Sequence, residues 1–158
     1  MSSELRKTKS YAPRHRALVS CRARMGKSEK TRISAHVLLV EDHEDTAWPL
    51  AMLLELDGYQ VSVAGGLEDA VCLCEAAKPD VLLVDVELPD GDGLDLLARV
   101  RQACRAPAIV FSGHVTPDLR ERARHVGFRD YLVKPVTTEV LTAAIRRAID
   151  VSRSSASA

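Results

Sequence analysis

The stretch Val81-Leu82-Leu83-Val84-Asp85 decides the fold, because four consecutive apolar residues lead directly to an acid. A short, dense apolar run of this kind is typical of a parallel strand that is covered on both faces. Similar runs occur at His36–Val40, Ala108–Phe111 and Tyr131–Val133. Residues Gln60–Ala64 instead alternate polar and apolar side chains, which predicts a strand at the edge of the sheet.

Each segment between these runs carries one apolar stripe with helical spacing, so strands and helices alternate along the chain. Five such units predict an α/β fold, a (βα)5 doubly wound parallel sheet of five strands. Gly58 and Gly127 stand where helices would end. Because Pro49 is tolerated only in a first helical turn, the first helix is expected to start at about Asp45 or Thr46. The stripes are Ala47, Ala51 and Leu54; Ala70, Leu73 and Ala77; Leu97, Val100 and Cys104; Leu119, Ala123 and Val126; and Leu141, Ala144, Ile145 and Ala148.

The net charge of zero hides an uneven distribution along the 158 residues. Residues 1–35 carry ten Lys and Arg against two acids, whereas residues 36–158 carry twelve against twenty. We therefore predict a basic, disordered extension over 1–35, a folded domain over 36–150 and a short disordered tail over 151–158. We favour a solvated tail for the extension over a nucleic-acid-binding or anionic-membrane arm, and a true start at Met25 is a further alternative.

Composition also excludes several classes of protein. No apolar run is long enough to span a membrane and no signal peptide precedes the first strand, so we expect a cytoplasmic protein without membrane insertion. The cysteines match no zinc or disulfide framework, and buried thiols are the favoured interpretation. They are Cys21, Cys72, Cys74 and Cys104.

Chemically useful side chains follow four of the predicted strands. Ligands of open parallel sheets bind beyond the carboxyl ends of the strands, so these side chains should converge. Three converging carboxylates repel one another, and a hard divalent cation such as Mg²⁺ is the usual remedy. A carboxylate beside such a cation can attack phosphorus while a lysine and a hydroxyl hold the phosphoryl oxygens. The residues are Glu41, Asp42, Asp85, Ser112 and Lys134.

Residues 36–150 are similar to the receiver domain of bacterial two-component systems, whose flavodoxin-like strand order is 2-1-3-4-5. The resemblance rests on five stretches taken together, since each alone is a weak signal. They are Val37-Leu38-Leu39-Val40-Glu41-Asp42, Val81-Leu82-Leu83-Val84-Asp85, Leu88-Pro89-Asp90-Gly91-Asp92-Gly93-Leu94, Ile109-Val110-Phe111-Ser112-Gly113 and Tyr131-Leu132-Val133-Lys134-Pro135.

The resemblance implies a role for each site residue. Asp85 would accept the phosphoryl group, and Asp42 and Asp85 would bind Mg²⁺ directly. Glu41 would be the other member of the acidic pair, with its longer side chain favouring ligation through water, and the backbone carbonyl of Glu87 would complete the coordination. Ser112 would bind a phosphoryl oxygen. Lys134 would pair with the phosphate through a cis bond to Pro135.

Three positions qualify this resemblance. Glu41 replaces the Asp of many family members, and Glu87 and His114 occupy positions that tune phosphate lifetime in the family. His43 and His114 are interpreted as loop residues beside the site rather than as metal ligands. Tyr131 stands at the family's switch aromatic position.

The function implied is that of a stand-alone receiver, not an enzyme beyond its own phosphorylation and dephosphorylation. It would take its phosphoryl group from a histidine kinase or phosphotransfer protein and switch the binding of an unidentified downstream protein. A phosphorelay shuttle, a phosphate sink and a pseudo-receiver that never turns over phosphate are alternatives. Helix 4 (116–126), strand 5 and helix 5 (137–149) form an arginine-rich face. It is either a solvated surface or one that would bind an acidic partner or build a homodimer.

Overall fold

The structure is a computed structural model that describes residues 35–156. The predictions for residues 1–34, for a start at Met25 and for Cys21 therefore lie outside the described residues. The first described residue, Ala35, is fully buried, and its carbonyl accepts a hydrogen bond from Gln60 N at 3.0 Å.

Five parallel strands form one sheet, in the spatial order β2-β1-β3-β4-β5. This order confirms the predicted doubly wound fold, and the alternating segment β2 lies at an edge as predicted. The strands are β1 (His36–Val40), β2 (Gln60–Ala64), β3 (Val81–Val84), β4 (Ala108–Ser112) and β5 (Asp130–Val133).

Five helices cover the two faces of this sheet and enclose two separate apolar cores. Because side chains alternate along a strand, Leu38 and Leu82 point into one core while Leu39 and Leu83 point into the other. The first core packs against α2, α3 and α4, and the second against α1 and α5. The helices are α1 (Glu44–Leu56), α2 (Leu67–Ala77), α3 (Leu96–Val100), α4 (Pro117–Val126) and α5 (Thr138–Ala156).

The predicted start of the first helix is wrong by one or two residues. Helix α1 begins at Glu44, because the His43 carbonyl already accepts hydrogen bonds from Thr46 N at 3.0 Å and Ala47 N at 2.9 Å. Pro49 consequently lies in the second turn, where its missing N–H costs the helix one hydrogen bond. The buried stripe of Ala47, Ala51 and Leu54, which was predicted correctly, holds the helix on the sheet despite this loss.

The end of the last helix also differs from its prediction. Helix α5 continues to Ala156, so residues 151–156 are helical where a disordered tail was expected. The Ser154 and Ser155 hydroxyls donate to the carbonyls of Asp150 and Val151 at 3.0 and 2.9 Å. Serines that bond back to the preceding turn satisfy their own hydroxyls without ending the helix.

Two of the described cysteines are buried as predicted, and one is not. Cys74 and Cys104 lie in the first core, whereas Cys72 is exposed. Residues two apart on a helix face different directions, so α2 can bury only one of its two thiols. The expected C-cap at Gly127 is confirmed, with a left-handed φ of 108° that suits glycine.

The loop after β3 caps α2 from a distance. It forms a small antiparallel hairpin, and the Asp90 carboxylate at its turn accepts hydrogen bonds from Leu67 N at 2.8 Å and Glu68 N at 3.1 Å. The local N-cap residue is Gly66, which has no side chain to perform this role. These two hydrogen bonds connect the hairpin that follows Asp85 to helix α2.

We expect Asp90→Ala to lower the free energy of unfolding by about 1 kcal/mol at pH 7, as loss of a helix cap does. Burial opposes the charged form, but the backbone hydrogen bonds from Leu67 and Glu68 prevail and hold the pKa of Asp90 below its usual value. The stabilisation is therefore present above about pH 4 and lost as the pH falls through the lowered pKa. Urea unfolding at pH 7 and at low pH checks both points. Glu75→Ala, an exposed acid on the same helix, is the control.

Candidate functional site

Buried polar side chains gather at the carboxyl ends of the central strands. Glu41 follows β1, Asp85 follows β3 and Ser112 ends β4, and these side chains are buried although all other strand residues in the core are apolar. Burial of carboxylates is costly unless a positive charge or a set of hydrogen bonds compensates it. The site must therefore supply cations at this edge of the sheet.

Lys134, directly after β5, supplies one of them. Its ammonium donates to Asp85 Oδ2 at 2.8 Å and to Glu41 Oε2, and it lies 4.9 Å from the centre of the Phe111 ring. Burial lowers the pKa of Lys134, but the hydrogen bonds to Asp85 and Glu41 prevail and raise it above its usual value. The lysine thus remains charged and holds the two carboxylates together. The bond that follows it, to Pro135, is cis as predicted.

The acidic pair after β1 forms a second cluster with the next residue. His43 Nδ1 lies 3.0 Å from Asp42 Oδ1 and 3.2 Å from Glu41 Oε1. The hydrogen bond to Glu41 and then the negative charge of Asp42 raise the pKa of His43. The sequence prediction treated His43 as a loop residue, but the structure brings its imidazole against both carboxylates.

The residues present fit a hard divalent cation. Asp42 Oδ1 is a buried oxygen that contacts the exposed His43 imidazole at 3.0 Å, and such a carboxylate oxygen can also bind a cation. Asp85 Oδ1 accepts a hydrogen bond from Glu87 N at 3.2 Å. Carboxylate oxygens of this kind are the ligands that Mg²⁺ prefers. Asp42, Asp85, Glu41 through water and the Glu87 carbonyl are the residues that would hold it.

Ser112 and Tyr131 are linked through the backbone of His114. The Ser112 hydroxyl accepts from His114 N at 3.3 Å, and the Tyr131 hydroxyl donates to the His114 carbonyl at 2.5 Å. Burial raises the pKa of Tyr131, and a hydrogen bond to Ser112 opposes this effect. A movement of Ser112 would therefore change the position of the His114 backbone, to which the Tyr131 hydroxyl is hydrogen-bonded.

Two further side-chain contacts at the rim were not found by sequence reasoning. His114 Nδ1 lies 3.2 Å from Glu87 Oε1, which joins the loops after β3 and β4. Arg122 on α4 donates to Asp92 at 2.9 Å and joins the hairpin to that helix. The sequence marked Glu87 and His114 as unusual positions, but a pairing across two loops leaves no local pattern.

The arginine-rich face is partly engaged within the chain. Arg147 of α5 pairs with Asp130 at 2.9 Å, and the Arg120 guanidinium of α4 lies 5.5 Å from the centre of the Tyr131 ring. A change in the position of Tyr131 would consequently remove this contact with Arg120 and alter the surface of α4.

Comparison with known proteins identifies related sequences. The family model described as the response regulator receiver domain matches residues 37–146. A transcriptional regulatory protein, PdtaR of Mycobacterium tuberculosis, is 37% identical over 118 residues, which cover 74% of this chain and 58% of that protein. The chain thus spans little more than half the length of this relative.

Solved structures of other proteins have a similar fold. The receiver domain of a modulated diguanylate cyclase from Desulfovibrio desulfuricans has a TM-score of 0.70 and 34% identity, over 75% of this chain and 96% of that one. A response regulator from Burkholderia pseudomallei, solved with a phosphorylated aspartic acid, calcium and citrate, has a TM-score of 0.67 and 31% identity, over 77% and 73% of the two chains. Over residues 35–156, no helix has the length and apolar character needed to cross a membrane.

Proposed function

Because the chain belongs to the response regulator receiver domain family, a signalling family rather than one of conventional enzymes, we propose that it accepts a phosphoryl group on Asp85. The observation that carries the proposal is the arrangement around this carboxylate. Asp85 is buried at a strand end, with one oxygen on the Lys134 ammonium and the other accepting a hydrogen bond from Glu87 N. The related Burkholderia regulator, which holds a phosphorylated aspartic acid and a calcium ion, supports the assignment.

In the proposed reaction an Asp85 carboxylate oxygen attacks the phosphorus of a phosphohistidine or a small acyl phosphate. The bond from phosphorus to the donor breaks, and an acyl phosphate forms on Asp85. Lys134 neutralises negative charge on the phosphoryl oxygens, and the Ser112 hydroxyl donates to one of them. A divalent cation bound by Asp42, Asp85 and the Glu87 carbonyl would supply further positive charge. The chain would catalyse only this step and its hydrolysis.

The output of the proposed reaction is a change in partner binding. A phosphoryl group adds about −1.5 to −2 charges, which would draw the Ser112 hydroxyl toward it. Tyr131 would then leave its hydrogen bond with His114 and turn inward, changing the surface of α4, β5 and α5. Arg120, Arg147 and their neighbours would present this surface to an acidic protein or to a second copy. Cytoplasmic location and a histidine kinase or phosphotransfer protein as donor belong to the same proposal.

Two alternatives share the fold but differ in chemistry or partner. A pseudo-receiver would not take up phosphate. The chain argues against this alternative because it contains all four of the residues that the reaction needs, which are Asp42, Asp85, Ser112 and Lys134. Asp85 and Ser112 are also buried at the same edge of the sheet. A shuttle or phosphate sink would share the site and differ only in the proteins that it meets. Transcriptional output, which is part of the name of the longer mycobacterial relative, is not assigned to this chain.

We expect acetyl phosphate and Mg²⁺ to add one phosphoryl group to the protein, seen in the intact mass. Asp85→Asn should abolish the addition, because its amide is not nucleophilic toward phosphorus. Asp95→Asn, an exposed aspartate of the same region, should leave it unchanged, and EDTA should suppress it. Unmodified wild type would favour the pseudo-receiver, and full labelling of Asp85→Asn would show that another residue is the acceptor.

A further inference from the structure

Two thiols from neighbouring helices meet inside the first core, away from the site at the edge of the sheet. Cys74 lies on the buried face of α2 and is fully buried, and Cys104 follows the turn that ends α3 and is 7% exposed. Helices α2 and α3 pack against each other, and the Cys74 thiol donates a hydrogen bond to the Cys104 sulfur. This contact is produced by the fold, because the two residues lie 30 positions apart in the chain.

The backbone holds both thiols in place. Cys104 N and Ala103 N donate to the Val100 carbonyl at 2.7 and 2.9 Å, in the turn that ends α3. The Cys74 carbonyl accepts from Lys78 N at 3.2 Å, at the C-cap of α2. A disulfide bond is about 2.05 Å long and forms without strain only where the backbone already brings the two side chains together. Two sulfur atoms in hydrogen-bonding contact on two ordered segments meet this requirement.

The two thiols differ in reactivity. The hydrogen bond from Cys74 lowers the pKa of Cys104 against the opposing effect of burial, and a hydrogen bond from Ala106 N lowers it further. The same thiol–thiol hydrogen bond and burial raise the pKa of Cys74. Cys104 also lies nearer to solvent, between the exposed residues Ala103 and Arg105. Because the thiolate is the nucleophile in thiol chemistry, Cys104 is the thiol that reacts first.

We propose that Cys74 and Cys104 are a redox modification site, at which a small-molecule disulfide oxidises them to an intramolecular disulfide. The Cys104 thiolate attacks one sulfur of the small disulfide, so a mixed disulfide forms and one small thiol leaves. Cys74 then gives up its proton and attacks the Cys104 sulfur, so the bond between the two cysteines forms and the second small thiol leaves. Two protein thiols are oxidised, and one small disulfide is reduced to two thiols.

The modification would link α2 covalently to the segment between α3 and β4. The other end of α2 is already held by the Asp90 carboxylate of the hairpin after Asp85, so oxidation would fix the helix at both ends. Two thiols that only fill the core would also touch each other. The two cases differ in whether the folded chain favours the disulfide over the unfolded chain, because a bond that fits the fold stabilises the folded state.

The test compares disulfide formation in the folded and in the unfolded chain. The full chain with Cys21→Ser and Cys72→Ser retains only the two thiols of the pair. It is equilibrated with glutathione and glutathione disulfide, in buffer and in concentrated urea, and alkylation followed by intact mass gives the oxidised fraction. We expect the equilibrium constant for disulfide formation to be at least about tenfold higher in the folded chain. Peptide mapping should find the bond between Cys74 and Cys104, and dithiothreitol should reverse it.

Single substitutions in the same background test the order of reaction. With Cys74→Ala, Cys104 should take up one glutathione and keep it, because no second thiol is present to displace it. With Cys104→Ala, the remaining Cys74 should react at least about tenfold more slowly, because it is fully buried and its pKa is raised.

Two results would overturn the proposal and leave the thiols as side chains that only fill the core. One is an equilibrium constant in the folded chain that does not exceed that in urea, and the other is a stable mixed disulfide on Cys104 that does not close. Thermal unfolding checks that the double-serine background folds, and peptide mapping of oxidised wild type gives the same answer without any substitution. The measurement involves neither a metal nor phosphate, so its outcome is independent of the function proposed for Asp85.

Discussion

Lys134→Met is expected to lower the free energy of unfolding by about 3–5 kcal/mol in metal-free buffer at pH 7, the usual cost of breaking a buried ion pair. The Glu41 side chain is fully buried and that of Asp85 is 9% exposed, and both accept hydrogen bonds from this ammonium. Methionine fills a similar volume but leaves two buried carboxylates facing each other without a cation. Repulsion and desolvation then act together against the folded state.

The pH range of this effect follows from the raised pKa of Lys134. A group whose pKa is higher in the folded state stabilises fully below its unfolded pKa, here about 10.4, and loses that contribution as the pH rises through the folded pKa. The difference between wild type and Lys134→Met should therefore persist from pH 7 to about pH 10. Urea unfolding at several pH values measures it.

Two further measurements would show that loss of the Lys134 ammonium causes the fall in stability. Mg²⁺ should raise the stability of Lys134→Met more than that of wild type, since it replaces part of the missing positive charge. Adding Asp85→Asn to the variant should restore stability by removing one carboxylate. Lys78→Met, an exposed lysine outside the site, should have little effect. Equal stability of wild type and Lys134→Met would show that the Lys134 ammonium does not stabilise the buried carboxylates in the folded protein.

Gly93→Ala is expected to destabilise the domain by about 3 kcal/mol or more, at the upper end of overpacking effects. A Cβ atom at this position would lie 1.9 Å from the backbone oxygen of Asp85, a distance at which something must move. The glycine is buried, and its N–H donates to the Val86 carbonyl at 2.8 Å, so the loop cannot shift freely. The obstacle is backbone and not a flexible side chain.

Because the displaced group belongs to Asp85, the proposed acceptor residue, Gly93→Ala should also slow phosphorylation by acetyl phosphate in whatever fraction remains folded. Urea unfolding and intact mass measure the two effects. Gly65→Ala is the control, since a Cβ there would meet no atom within 4 Å, and its stability should stay within about 0.5 kcal/mol of wild type. Stability of Gly93→Ala close to that of Gly65→Ala would show that the hairpin can move away from β3.

Much of the sheet could be predicted because its signals are local. A central parallel strand is a dense apolar run and an edge strand alternates, so β1 and β2 have the residues that their sequence patterns predicted. The stripes of α1 and α5 are likewise set by helical spacing and lie in the core as expected. The ends of helices were less predictable, because capping by the His43 carbonyl and back-bonding by Ser154 depend on backbone geometry.

The sequence by itself determined which residues meet at the edge of the sheet, because parallel strands bring their carboxyl ends together whatever their loops do. That reasoning placed Glu41, Asp85 and Lys134 together, and the structure joins them by hydrogen bonds.

Only the tertiary structure decided what surrounds them. The cap of α2 comes from Asp90, 23 residues beyond Leu67, and the space at Gly93 is closed by the backbone of Asp85. The side chain of His43 turns toward the acidic pair and not toward its own helix. These contacts join segments that are distant in sequence, or select one rotamer among several, and neither leaves a periodic pattern in the chain. The physical reason is that packing across loops is fixed by the shape of the folded sheet, which no local preference encodes.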